Sequence, residues 1–338
     1  MTNSKSVVRD PEFKDRSVWL VVFGIFQILL GAICALMVPL MILAMVAAAN
    51  LEKSAGGNII AGTQISGALL FLILAVWFIW MGIGSIKAKR WARALILTTS
   101  CIWLVCGLIG FIVVVVFMPE ILDLMERSGQ LLHKPANIRS SFKIGIYIAM
   151  VPMSVIFLII PGFLVLFYGS KNVKTTCEFR DQNIRWTDKC PLPVLALSLW
   201  FGFSAIITVL PAFQGCVIPL FGFILSGFPG AVVIFVNELL LVYLIWGTYK
   251  LKMTAWWGAV AYVVVWSISA IITFSRMDFM EFYEKMNYSE QQLERLRQLD
   301  FMQSQYMYMI GFYLFMLLKL GYLMYTRKFF VEKKENTS

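Results

Sequence analysis

Runs of about 20 apolar residues, the length that a helix needs to cross the hydrocarbon core of a bilayer, recur along this chain between short polar segments. Apolar residues make up 60% of the sequence and charged residues only 14%. This composition excludes a soluble globular domain, a disordered chain and a disulfide-rich scaffold. The sequence therefore predicts an all-α, polytopic integral membrane protein whose spans contact the lipid bilayer.

Eight membrane-spanning helices are predicted. The division between the fifth and the sixth is the least obvious, because the apolar stretch from Val194 to Trp246 is too long for one helix. We place that break at 226–229, where the sequence Ser-Gly-Phe-Pro interrupts the apolar run. The predicted spans are 18–47, 63–86, 92–118, 144–169, 194–222, 229–249, 254–275 and 306–326.

Basic residues are distributed unequally between the two sides of the membrane. With eight spans both termini share one side, and nineteen of the 29 Lys and Arg residues fall there, against nine on the other side. Because cytoplasmic loops carry the excess of Lys and Arg, both termini are predicted to be cytoplasmic, in the plasma membrane. No cleavable signal peptide is expected, since the first apolar run is much longer than the apolar core of such a signal.

The net charge of +10 follows from this distribution. The basic residues form rims around apolar spans, and they do not form one patch with stacking aromatic side chains. Nucleic acid is therefore not expected as a partner.

The second and third spans resemble the sixth and seventh when the chain is aligned with itself. The turn after the second span and the turn after the sixth both have the pattern Gly-x-x-Lys-x-Lys, at 84–89 and 247–252. Duplicated helix bundles are common in transport proteins. Since each unit has an even number of spans, the sequence predicts two parallel four-helix repeats, 1–170 and 194–338, joined by a cytoplasmic linker, 171–193.

Two ionisable residues lie inside predicted spans, Glu238 in the sixth and Lys319 in the eighth. An uncompensated charge in hydrocarbon costs at least ~2.5–3.5 kcal/mol, so such residues pair, face a bundle interior or mark a pathway. Their depths are compatible with an ion pair. Such a pair would gate or bind a solute between the bundles. In the alternative there is no pair, and Lys319 reaches to the interface while Glu238 bonds to Asn237 or a neighbouring helix to hold the bundle together.

A broken helix is predicted in the fifth span, at Pro211 and Gln214. Proline within a span frees a carbonyl that a binding site can use, although proline also occurs in spans simply as a kink. We therefore count Pro211 and Gln214, together with Glu238, Lys319 and Asn237, as candidates for binding or gating.

The residues that most catalytic centres require are missing. The only histidine, His133, lies in a predicted external loop, so haem, zinc and Ser-His centres cannot be assembled. Cys177 and Cys190 amount to half a zinc site and are interpreted as ordinary loop residues. The sequence predicts no enzymatic activity, no cofactor and no metal.

A surface helix is predicted after the seventh span. A capping box at 289–292 opens it, and Leu293, Leu296 and Leu299 share one face. An apolar face of this kind can rest in the lipid interface or dock on a partner. The three leucines are therefore candidates for contact with other membrane subunits or with a second copy of the chain.

Two functions agree with these features. The first is a small transporter or channel-like protein that takes a small solute or ion at a site between helix bundles around Glu238 and Lys319. The second is a non-catalytic membrane subunit or assembly factor of a larger complex. The duplication and the intramembrane charges favour the first, whereas the short loops and the amphipathic external helix favour the second.

Overall fold

The computed structural model describes residues 14–51, 58–127, 136–276, 279–286, 288, 293–294 and 305–335. It is about 88% helical, which supports the all-α class. The first half contains α1 (Ser17–Leu51), α2 (Asn58–Ile86), α3 (Arg90–Arg127) and α4 (Ala136–Ser154), which continues through a π-helical turn (Val155–Ile159) into α5 (Ile160–Gly169).

The segment between the halves folds into α6 (Lys171–Arg180) and a 3₁₀ turn (Trp186–Lys189). The second half begins with α7 (Leu192–Val209), which runs into a 3₁₀ turn (Leu210–Gln214) and an antiparallel hairpin of β1 (Ile218–Leu220) and β2 (Phe223–Leu225). The remaining helices are α8 (Gly227–Tyr249), α9 (Met253–Arg276), α10 (Phe279–Lys285) and α11 (Gln305–Glu335).

In the part of the chain that the structure describes, seven segments are long and apolar enough to cross a membrane. Large apolar side chains on their outer faces, such as Leu36, Leu166 and Phe235, are more than half exposed. Such faces suit lipid, because helices satisfy their backbone polar groups internally. The chain is thus an integral membrane protein, with the segments Ser17–Val46, Gln64–Ile86, Arg90–Pro119, Ile144–Gly169, Leu192–Gln214, Gly227–Tyr249 and Met253–Arg276.

The eighth predicted span lies in α11, which has 31 residues and is long enough to cross a bilayer. It is not among the seven apolar segments found in the described part of the chain. The eighth crossing therefore remains a prediction.

The fifth span is shorter than predicted, because the apolar residues after Gln214 form a hairpin. Its tip, Phe221 and Gly222, has φ values of 51° and 83°, as a tight two-residue turn requires. The N–H groups of these two residues donate to the hydroxyls of Ser269 and Thr273 on α9, both at 3.0 Å. Non-helical backbone next to a span needs such partners, since lipid offers none.

The π-helical turn in the fourth span follows from one proline. In an α-helix the carbonyl of Phe157 would accept the N–H of residue 161, but Pro161 has none. On α3, Gly107 makes room for this carbonyl, because a Cβ there would overlap the Phe157 oxygen. The local irregularity is therefore matched by a small residue on the neighbouring helix.

The two Gly-x-x-Lys-x-Lys turns have the same conformation. The N–H of Lys89 donates to the Gly84 carbonyl at 2.9 Å, and that of Lys252 donates to the Gly247 carbonyl at 2.9 Å. In each turn the residue before the second lysine has a positive φ, 47° at Ala88 and 55° at Leu251, as in the Schellman motif that ends helices. The local likeness between the halves thus extends from sequence to backbone.

Contacts between the halves centre on α3. It packs against α7, α11 and the 3₁₀ turn Trp186–Lys189, whereas α2 packs against the turn Leu210–Gln214. One core cluster lies toward the end of the bundle where α2 turns into α3, and Leu20, Leu95 and Tyr168 are buried in it. We call this end the basic edge, because it carries Lys89, Arg90, Lys174, Arg185 and Lys250.

Candidate functional site

Lys319 lies in the wall of a cavity between α3, α7 and α11, at the junction of the two halves. The cavity has a volume of about 240 Å³. Its walls are mostly apolar, with the polar atoms of Cys101, Trp200, Lys319 and Tyr322 at a few points. The apolar lining includes Ile102, Val105, Leu197, Phe315 and Leu318.

The Lys319 ammonium group is held by aromatic rings. Its Nζ lies 5.3 Å from the centroid of the Trp200 ring and 5.8 Å from that of Phe201, within the range of a cation–π interaction. Among the described residues, no carboxylate lies within 4.0 Å of this nitrogen. The cavity therefore contains a cation that is stabilised by rings but not neutralised.

The Tyr322 hydroxyl and the Trp200 indole N–H are two further hydrogen-bond donors among the residues that line the cavity. The Tyr322 hydroxyl donates to the Pro193 carbonyl at 2.7 Å, so it is already bonded. The indole N–H of Trp200 is buried and has no acceptor in the described part of the chain. A cation and an unused donor in the same wall favour a ligand that brings acceptor atoms and negative charge.

Glu238 belongs to a separate polar cluster between α7, α8 and α9. Its Oε1 accepts a hydrogen bond from the Thr208 hydroxyl at 2.5 Å. Asn237, which is buried, donates to the Thr208 oxygen at 3.1 Å and accepts from the Tyr262 hydroxyl at 3.0 Å. These bonds join three helices through polar side chains, as often occurs in membrane bundles.

Glu238 and Lys319, whose predicted depths are compatible with an ion pair, do not form one. Lys319 lies beside Trp200 on α7, whereas Glu238 lies beside Thr208 on the same helix. At 1.5 Å per residue, these two points on α7 are separated by roughly 12 Å. The two charged residues therefore occupy different depths, each with neutral partners from α7.

Pro211 and Gln214 belong to neither cluster. They lie in the 3₁₀ turn that ends the fifth span, and the Pro211 carbonyl accepts the N–H of Cys216 at 3.0 Å. The Gln214 side chain donates to the Ser66 hydroxyl at 3.4 Å, which ties the turn to α2. The helix break that the sequence indicates is present here, and its contacts hold the two halves together.

The predicted partner surface is only partly described. Leu293 is 2% exposed, so its side chain is buried in the described structure. Leu296 and Leu299 lie outside the described residues, as do the capping-box residues 289–292.

Lys319 stands out in the sequence as a charge within an apolar stretch, but the residues around it do not. Phe315, Lys319 and Tyr322 share one face of α11 through spacings of four and three, a signal that the sequence does contain. Trp200 and Cys101 come from α7 and α3, and no spacing along the chain relates them to α11. Their proximity depends on how α3 packs between the halves.

No group of three or more His, Cys, Asp or Glu side chains suited to a metal ion occurs within the described residues. Comparison of the chain with models of protein families, with curated proteins and with solved structures finds no match.

Proposed function

We propose that this integral membrane protein is a small transporter that binds an organic anion in the cavity between α3, α7 and α11. The observation that carries the proposal is the Lys319 ammonium group, which lines an apolar cavity and has no carboxylate partner among the described residues. Lys319 recognises the negative group of the ligand, and the apolar walls contact its hydrocarbon part.

An ammonium group within a bilayer is unfavourable, and such residues usually face a cavity or pair with an opposite charge. The contacts with Trp200 and Phe201 compensate only part of that cost. A bound carboxylate would neutralise the charge, and apolar walls favour a ligand with a short hydrocarbon body over an inorganic ion.

The position of the cavity also suits transport. One wall comes from α3 of the first half, and the other two come from α7 and α11 of the second half. In transporters built from repeats, the solute binds between units that move relative to each other. The proposal includes α11 as an eighth span and the two halves as parallel repeats.

We propose a structural role for the Glu238 cluster. Its carboxylate bonds to Thr208, and the neighbouring Asn237 bonds to Thr208 and Tyr262, so the cluster joins α7, α8 and α9. We propose that it keeps these helices together while the contacts around α3 change.

Binding of radiolabelled octanoate to the purified protein tests the proposal. Octanoate has one carboxylate and a short hydrocarbon chain, the chemistry that the cavity favours. We expect saturable binding by the wild-type protein and a loss of at least tenfold in affinity for Lys319→Met, which keeps the length and apolar stem of the side chain. Uptake into reconstituted vesicles should fall in parallel.

Lys328→Met is the matched control. Lys328 lies on the same helix and also faces aromatic rings, with its Nζ 4.4 Å from the Tyr325 centroid, but it is exposed near the end of α11. Equal octanoate binding by the wild type and both variants would overturn the proposed site. Co-purification of another membrane protein in fixed proportion, without octanoate uptake, would favour the alternative function of a membrane subunit.

A further inference from the structure

A second pocket lies at the basic edge, between the start of α3, α6 and the 3₁₀ turn Trp186–Lys189. Its volume is about 260 Å³ and its lining is mainly polar. Arg90 and Arg93 come from α3, Lys174 and Glu178 from α6, and Thr187 and Asp188 from the 3₁₀ turn. The cavity of Lys319 shares none of these residues, so the two pockets are independent.

Two buried polar groups in this pocket lack partners. The Nε atom of Arg93 and the hydroxyl of Thr187 are buried without a hydrogen bond in the described part of the chain. Thr187 is only 2% exposed. An unsatisfied buried donor costs about 1–3 kcal/mol, and a ligand that accepts a hydrogen bond would remove that cost.

The carboxylates of the pocket already have cationic partners. Arg90 pairs with Glu178 at 3.7 Å and with Asp188 at 3.4 Å, and Lys174 lies 3.9 Å from Glu178. Asp188 also accepts the backbone N–H of Arg185 at 2.9 Å.

Arg93 takes no part in these ion pairs. Glu178 and Asp188 attract it at longer range, but within the described residues no carboxylate comes within 4.0 Å of its guanidinium group. Three cationic side chains therefore face two carboxylates, and the excess positive charge lies on Arg93.

We propose that this pocket binds a phosphate group. The guanidinium group of Arg93 can present two N–H donors to a tetrahedral oxyanion, and the Thr187 hydroxyl can donate a third hydrogen bond. The pocket also lies at the N-terminal end of α3, which begins at Arg90, where the helix dipole favours negative charge. Since the basic edge borders the spans, the phosphate belongs either to a lipid headgroup or to a soluble phosphate.

Calorimetric titration of the full-length protein in neutral detergent tests this proposal. The probes are inorganic phosphate and dioctanoyl phosphatidic acid, with dioctanoyl glycerol as the uncharged comparison. We expect a phosphate-bearing probe to bind the wild type and to lose at least tenfold in affinity with Arg93→Gln. Binding of the phosphatidic acid alone indicates a lipid headgroup, whereas binding of inorganic phosphate as well indicates a soluble source.

Lys87→Gln is the matched control, because Lys87 is an exposed cation at the same edge, outside the pocket. Thr187→Val is the second variant, and it keeps the test valid if Arg93→Gln fails to fold. Equal affinity in the wild type and all folded variants, or no binding of either phosphate probe, would overturn the proposal. Octanoate binding near Lys319 should be unchanged in these variants, so the two proposals can fail separately.

Discussion

The Thr208 hydroxyl donates to Oε1 of Glu238 at 2.5 Å, so the charged residue in the middle of α8 bonds to a neutral residue of α7. Thr208 also accepts the side-chain amide of Asn237. Because one hydroxyl serves both residues, its removal leaves two polar groups of α8 without their partner in a region where lipid offers no replacement.

Thr208→Val is therefore expected to destabilise the protein by about 1–3 kcal/mol, the cost of unsatisfied buried polar groups. Glu238→Gln should cost less, because the amide oxygen can still accept the Thr208 hydrogen bond. Chemical unfolding in detergent, followed by circular dichroism, measures both variants. A larger loss for Glu238→Gln than for Thr208→Val would contradict this account of the cluster.

Glu238→Gln and Lys319→Met should have additive effects on stability. The two residues contact different parts of α7 and form no ion pair, and separated sites without shared partners usually add within about 0.5 kcal/mol. A double-mutant cycle of unfolding free energies gives the coupling. A coupling of several kcal/mol would mean that the two charges interact directly.

Gly247→Ala is expected to destabilise the turn between α8 and α9. A Cβ at this position would lie 2.5 Å from the Cβ of Ala255, and overpacking of this kind typically costs about 1–3 kcal/mol. Gly84→Ala should behave in the same way, because its Cβ would lie 2.6 Å from that of Ala92. Gly202→Ala, with no neighbour within 4 Å, is the control and should leave the melting temperature nearly unchanged.

Asp181 should make stability depend on pH in the acid range. Burial raises the pKa of its carboxyl. This effect is outweighed by hydrogen bonds from the Arg185 side chain and the Arg90 backbone and by the charges of Lys89 and Arg185, so the pKa lies below its ordinary value of 3.8. The ionised carboxylate thus stabilises the fold above the unfolded pKa, and this contribution disappears as the pH falls through the lower folded pKa.

Melting temperatures of the wild type and Asp181→Asn should therefore differ at pH 7 and converge below about pH 4, the region of an ordinary Asp pKa. Asp15→Asn provides the comparison. The Asp15 side chain is 53% exposed in its ion pair with Arg180, and exposed pairs contribute little. A constant difference between wild type and Asp181→Asn across the pH range would exclude this linkage.

The eighth crossing can be tested by labelling. If α11 spans the membrane, the C-terminus and Lys87→Cys, in the turn after α2, lie on the same side, and Lys285→Cys at the end of α10 lies on the other. A membrane-impermeant maleimide, applied to a variant without native cysteines, should distinguish the two sides. Labelling of a C-terminal cysteine together with Lys285→Cys would show that α11 does not cross.

The sequence alone was sufficient for the membrane class and for seven of the segments that can span a bilayer. Length and apolar content are properties of a continuous stretch, so they can be read without knowing what packs against it. The Gly-x-x-Lys-x-Lys turns belong to the same category, because glycine and the residues after it determine how a helix ends.

Tertiary structure decided the rest. Residues 218–225 are as apolar as a span, yet they form a hairpin whose tip bonds to Ser269 and Thr273 of α9. Lys319 faces Trp200 and not Glu238 because of the way α11 packs beside α7 and α3. The composition of each stretch determined that it belongs in a membrane. The partner of each buried polar group depended on contacts between helices that are distant in sequence, and no local sequence pattern contains that information.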